Sequence, residues 1–260
     1  MDIRLDGRTA LITGGSLGLG RAMALKFAKA GANVAIVARR QNLLDEAAAE
    51  IRQAAQARVL PLACDVRKPE EIKTCHAAIE RDLGAIDILV NNAGTSATAA
   101  FDEISDEDWQ HDLDLKFFAA VRFSRLAYPG MKARRWGRII NVLNIHAKTP
   151  QARTAPTSVS RAAGMALTKV MAGEGAPHGV LVNAMLTGFF VTDQWHRHHQ
   201  RDAPDLAFEE FIVQKGKTVP IGRFGTAEEF ANMACFLASD AASYVTGTAI
   251  NVDGGRAYAV

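Results

Sequence analysis

Short apolar runs rich in β-branched residues alternate along this chain with longer stretches whose apolar positions recur at helical spacing. Thr9–Thr13, Asn33–Val37, Arg58–Leu62 and Ile86–Val90 are the first four runs, and each reads as a buried strand. Segments rich in Ala, Glu, Lys and Arg follow them, among them Arg21–Ala30 and Leu43–Ala54, and these predict helices. Further strands are expected at Arg138–Leu143, Leu181–Met185 and Ala249–Val252, which makes about seven. Strand then helix, repeated, implies a parallel sheet covered on both faces. The expected fold class is therefore α/β: one doubly wound Rossmann-type domain over residues 1–260, with no linker, low-complexity tract or internal repeat beyond the β/α alternation.

Two regions break the rhythm. Asn144–Pro156 reads as a loop between a strand and a helix, and Gly188–Thr218 as a polar insertion containing Gln194-Trp195-His196-Arg197-His198-His199. In open parallel sheets ligands bind beyond the carboxyl ends of the strands, where both segments would emerge. Long loops in such places are more often functional than accidental.

The first predicted strand runs directly into Thr13-Gly14-Gly15-Ser16-Leu17-Gly18-Leu19-Gly20, followed by a helix. Glycines at 14, 18 and 20 let the backbone turn tightly and approach a pyrophosphate without a Cβ in the way. The helix starting near Gly18 points its free N–H groups and positive dipole end at the phosphates. Strand, glycine turn and helix in that order are the pattern of a dinucleotide site. The second strand ends at Ala38-Arg39-Arg40, where an acidic side chain would grip the ribose hydroxyls of NAD. Arg39 instead suits the 2′-phosphate of NADP, which is the expected cofactor, with NAD as the alternative.

Composition narrows the remaining classes. A formal charge of +2 gives no reason to expect nucleic acid or an anionic membrane as partner. Cys64, Cys75 and Cys235 are odd in number and far apart, which fits a reducing compartment and neither a disulfide framework nor a zinc knuckle. Met1-Asp2-Ile3-Arg4 carries no apolar run of signal-peptide type, and no stretch of about eighteen apolar residues suggests a membrane span. The expected location is the cytoplasm. The His196/His199 pair has no acidic or thiol companions, so no metal site is expected and a polar lid is the plainer reading.

TGGSLGLG near the start, Cys64-Asp65-Val66 after the third strand and Asn91-Asn92-Ala93-Gly94 after the fourth resemble the short-chain dehydrogenase/reductase family. The resemblance continues through Gly137-Arg138-Ile139-Ile140-Asn141-Val142, Val182-Asn183-Ala184, Tyr244-Val245-Thr246-Gly247 and Asn251-Val252-Asp253-Gly254-Gly255. It implies that Ser16, Leu17 and Leu19 line the phosphate turn and that Asp65 and Val66 contact the adenine. It further implies that Asn92, Ala93 and Gly94 lie along the adenine ribose, and that Gly188 and Thr192 flank the nicotinamide carboxamide. The usual Pro-Gly there reads Thr187-Gly188. A homodimer or homotetramer, built through the two long helices flanking the sheet, is also implied.

Where the family keeps a Ser, a Tyr thirteen residues on and a Lys four beyond that, this chain has Asn144, Thr157 and Arg161. A supporting Asn usually lies seven residues after a Trp; here Trp109 is followed at that spacing by Lys116. An aliphatic hydroxyl is a far weaker acid than a phenol, whose reference pKa is about 10. Losing a positioned general acid forfeits about 10²–10⁴-fold in rate. A guanidinium keeps the positive charge but does not relay a proton as an ammonium can. His146, Lys148 and Lys116 are the candidate substitute acids, since imidazole and amine groups suit acid–base work.

Three functions stay open. The first is an NAD(P)(H)-dependent oxidoreductase acting on a small carbonyl or alcohol through an altered site, with Trp195, Phe189 and Phe190 as apolar walls. The others are a catalytically silent dinucleotide-binding protein and a non-redox reaction on the same scaffold. Asn144, Thr157 and Arg161 all retain hydrogen-bonding capacity, which favours an occupied pocket and hence the oxidoreductase.

Overall fold

The computed structural model describes residues 3–260; Met1 and Asp2 of the N-terminal stretch lie outside the described residues. The strands are β1 (Thr9–Thr13), β2 (Asn33–Ala38), β3 (Val59–Ala63), β4 (Ile88–Asn91), β5 (Thr98–Ala99), β6 (Gly137–Asn144), β7 (Ala155–Pro156), β8 (Val180–Thr187) and β9 (Ala249–Val252). The α-helices are α1 (Gly18–Lys29), α2 (Gln41–Ala54), α3 (Pro69–Leu83), α4 (Asp106–Leu113), α5 (Ala119–Arg134), α6 (Thr157–Gly175), α7 (Asp193–Asp202), α8 (Phe208–Gly216) and α9 (Ala227–Ala238). Seven strands form one parallel sheet in the order β3-β2-β1-β4-β6-β8-β9, as the β/α alternation predicts.

Side-chain alternation along the strands divides the core into two layers. Ala10, Ile12, Ile88 and Val90 face one side and pack with Met23, Phe27, Leu44, Ile51 and Phe230 from α1, α2 and α9. Leu11, Leu89 and Ile139 face the other and pack with Ile72, Ile79, Phe123 and Met131 from α3 and α5. Because both faces are covered, the strands read as continuous apolar runs rather than as alternating ones.

The reversal of strand order on either side of β1 and β4 opens a crevice at their carboxyl ends. β6 and β8 extend three residues past the end of β4's pairing, with Asn144 opposite Thr187. Two features differ from the sequence expectation. The loop Asn144–Pro156 carries a short 3₁₀ turn, Ile145–Ala147, and ends in β7, which pairs antiparallel with β5 and ties the loop after β4 to the start of α6. The insertion Gly188–Thr218 holds the two helices α7 and α8. Its aromatic residues supply the reason: Trp195 packs edge-on against Phe189 and Phe224, with ring centroids 4.6 and 4.7 Å away. Among the described residues no helix is long and apolar enough to cross a membrane.

Candidate active site

The glycine turn has the backbone its composition requires. Gly14 and Gly18 lie in the left-handed region, at φ 67° and 53°. A Cβ on Gly14 would stand 2.8 Å from Asn92 Nδ2, so only glycine lets the turn pass beneath the β4 loop. Asn92 Nδ2 donates to the Thr13 carbonyl at 2.9 Å, and Thr13 Oγ1 accepts from the backbone of Asn92 and Ala93 at 2.9 and 3.0 Å. These bonds join the ends of β1 and β4 at the crevice. Helix α1 starts after Leu17, whose side chain cannot cap it, so its first-turn N–H groups have no side-chain acceptor. A Cβ added to Gly18 would meet nothing closer than Thr192 Cγ2, at 3.5 Å. The cradle is open in front and polar at its floor, which fits a dinucleotide pyrophosphate.

Across the crevice, Asn144, Thr157 and Arg161 come together from β6 and α6, and Lys116 joins them from a π-helical segment, Asp114–Phe118, between α4 and α5. A π turn inserts a residue into the helix and turns side chains away from their α-helical directions. Lys116 is buried with Asp112, its ion-pair partner four residues earlier. Lys116 Nζ also donates to Thr157 Oγ1 at 2.7 Å. That hydroxyl donates to the Ala97 carbonyl at 2.8 Å and accepts from the Ala97 amide at 3.1 Å. Ser160 Oγ closes the network by donating to Asp112 Oδ2 at 2.6 Å.

Burial pushes the Lys116 ammonium down from its model-compound value of 10.5 to about 8; the nearby Arg161 charge adds to the fall and Asp112 opposes it. Burial likewise lowers the Arg161 guanidinium to about 10, again against the pull of Asp112. At neutral pH both side chains are cations. Arg161 donates to the Val142 carbonyl at 2.8 Å and leaves its buried Nε without a partner. Asn144 Oδ1 is also buried without a partner. Such orphaned polar atoms beside a cavity are the groups a ligand would satisfy.

The crevice is a cavity of ≈ 520 Å³. It brings together Gly14, Ser16, Leu17, Gly18, Leu19, Gly20, Asn92, Gly94, Asn144, Thr157, Arg161, Gly188 and Thr192 from the predicted set, with Phe189, Phe190 and Trp195 as apolar lining. Lys116 stands behind Thr157 rather than on the cavity wall, with no side-chain exposure. Ala93, Asp65, Val66 and Arg39 lie outside the lining. Arg39 is exposed just past β2. Asp65 sits past β3, where hydrogen bonds from Arg67 hold its carboxyl at about 2 and the Arg39 charge adds a smaller share. His146 lines the cavity from the 3₁₀ turn; Lys148 does not.

Sequence reading missed Asp112, Ser160 and Arg256. The Asp112–Lys116 spacing of i, i+4 was a readable signal for the first. Ser160 could not be told from any helical serine, and Arg256 arrives from the chain's last residues.

Residues 14–257 match the family described as Enoyl-(Acyl carrier protein) reductase. The chain is 35% identical over 256 residues to a 3-oxoacyl-(acyl-carrier-protein) reductase of Aquifex aeolicus, covering 98% of this chain and 99% of the relative. L-sorbose reductase from Gluconobacter frateurii, solved with NADPH and L-sorbose, superposes with a TM-score of 0.96 at 36% identity, covering 100% of both chains. An NADPH-bound short chain oxidoreductase from Pseudomonas aeruginosa PAO1, described as containing an atypical catalytic center, gives a TM-score of 0.91 at 36% identity over 99% of each chain.

Proposed function

The chain belongs to the short-chain dehydrogenase/reductase family, and on that premise we propose that it is an NADP(H)-dependent oxidoreductase in which Lys116 and Thr157 take over the proton chemistry of the missing phenol. Bound NADPH would supply the hydride to a carbonyl carbon. The glycine turn with Ser16, Leu17 and Leu19 holds the pyrophosphate, Arg39 meets the 2′-phosphate, and Asp65 and Val66 border the adenine. Asn92, Ala93 and Gly94 follow the ribose, Arg161 hydrogen-bonds the nicotinamide ribose, and Gly188 and Thr192 border the carboxamide.

Asn144 orients the substrate by donating from its amide to the carbonyl oxygen. The Thr157 hydroxyl turns its hydrogen from the Ala97 carbonyl to the same oxygen and gives it up as the oxygen becomes an alcohol. Lys116 replaces that proton on Thr157 Oγ1 and is left as a neutral amine, stabilised by the neighbouring Arg161 charge. An aliphatic hydroxyl alone is too weak an acid for this step; coupled to an ammonium near neutrality it becomes a relay. Asp112 and Ser160 hold the ammonium on target. The observation that carries this reading is the 2.7 Å bond from buried Lys116 Nζ to Oγ1 of Thr157, a residue of the cavity lining.

The family's NADPH-bound member with an atypical catalytic center supports the view that the scaffold takes altered residue sets. A silent dinucleotide binder is the second reading, favoured by the full hydrogen-bond complement that Thr157 Oγ1 already has. Thr157→Ser and Thr157→Val separate the two. The relay requires that serine retain NADPH-dependent reduction across a panel of ketoses and oxo acids and that valine lose about 10²-fold or more. Equal rates in both variants would remove Thr157 from the chemistry, and no turnover in the parent would favour the silent binder.

A further inference from the structure

Opposite the glycine turn, the cavity is walled by the loop after β4, the segment before α6, helix α7 and the chain's last residues. Its charge is one-sided. Arg153, Arg197 and Arg256 line it, and no Asp or Glu is found among the described lining residues. Arg153 touches Glu103 Oε2 at 3.4 Å and is the least free of the three. Arg197 projects from α7 to Thr95 Oγ1 at 3.4 Å, bridging the mouth of the cavity. Arg256 lays its guanidinium 3.6 Å over the Phe189 ring, a stacked position that fixes its plane and leaves its N–H edges available. Neither Arg197 nor Arg256 forms an ion pair among the described residues. His198, also on the wall, has its pKa lowered by burial first and then by the charges of Arg201, Arg197 and Lys215, with Asp202 opposing them. Cations outnumber carboxylates at this end of the cavity: Glu103 is taken by Arg153 and Asp202 by Arg201, while Asp253 acts on Arg256 only through space. Arg256 is half-buried and Arg197 exposed, and a half-buried guanidinium with no ion-pair partner among the described residues is favoured by a ligand anion that completes it.

The cofactor does not account for them in the family reading, since its pyrophosphate belongs at the glycine turn and its 2′-phosphate at Arg39. We propose that the carbonyl substrate is itself an anion, bearing a carboxylate or a phosphate that Arg197 and Arg256 grip while its carbonyl meets Asn144 and Thr157. Arginine's planar fork matches either group bidentately. This substrate class rests on the oxidoreductase reading above, but its test needs no turnover.

Calorimetric titration of the NADP⁺-loaded protein with two matched pairs reads it directly: 3-hydroxybutyrate against 1,3-butanediol, and glycerol 3-phosphate against glycerol. At least one anion binds about tenfold or more tightly than its neutral partner, the difference expected for charge-assisted hydrogen bonds. Which pair discriminates tells carboxylate from phosphate. In the Arg197→Gln/Arg256→Gln variant that preference disappears while NADP⁺ affinity stays within about twofold, which also reports that the variant is folded. Three outcomes overturn the proposal: neither pair discriminates, the preference survives in the variant, or the variant loses NADP⁺ affinity by a similar factor, which would assign the arginines to the cofactor. A silent binder would leave this titration unchanged, so failure of the relay and failure of the anion site are seen separately.

Discussion

Lys116 is a lysine whose ordinary charge is under strain from two directions, burial and Arg161, and relieved from one, Asp112. Its lowered pKa of about 8 sets the direction of the pH dependence. In the proposed relay reduction draws its proton from the ammonium, so its rate should be full below about 8 and fall as the pH rises through that value; oxidation of the alcohol would use the amine and rise over the same range. Initial rates in both directions from pH 6 to 10 check this. A reduction rate that stays level across that interval would take Lys116 out of the relay. At this scale the sequence was legible where it broke the family pattern: Asn144, Thr157, Arg161 and Lys116 are found around one site. Asp112 was missed, although its i, i+4 spacing to Lys116 was there to read, because a carboxylate on an amphipathic helix reads as solvent-facing until its buried partners Lys116 and Ser160 are seen.

Helices and strands were read well wherever their apolar period was long. β9 has the bounds its residues predict, and β6 and β8 exceed theirs by one or two residues at each end, since end positions such as Asn144 and Thr187 are polar and look like loop. The segment Gly188–Thr218 was misread for the opposite reason: its aromatic side chains are too sparse to show a period, yet they converge in space on Trp195. Two element-scale outcomes follow from the packing. Phe27, fully buried where α1 meets the sheet, should cost about 3–5 kcal/mol when replaced by alanine, measured by urea unfolding with NADPH absent. Thr226 and Glu229 form a reciprocal cap at the start of α9, and Thr226→Ala should cost about 1 kcal/mol in the same experiment. A loss at Thr226 as large as that at Phe27 would mean that the cap, not the α1 contact, governs α9.

At the scale of the molecule, the parallel sheet gathers a glycine turn from β1 and α1 and the side chains of the proposed relay from α4, its π turn and α6 at one rim. Cofactor choice belongs to this scale, because Arg39, its proposed determinant, lies outside the cavity lining. Arg39→Asp should reverse a preference for NADPH over NADH; an unchanged ratio of dissociation constants would remove that role. Assembly belongs here too. Val159 and Val170 on α6 are 49% and 58% exposed, and a homodimer or homotetramer that covers them is the expected state by light scattering. The most direct measurement of the central claim is the rate of carbonyl reduction at saturating NADPH in the Asp112→Asn/Lys116→Met variant, in which both partners of the buried ion pair are neutral and neither is left as an uncompensated charge. The relay predicts a fall of about 10²-fold or more with NADPH affinity retained. An undiminished rate would contradict it.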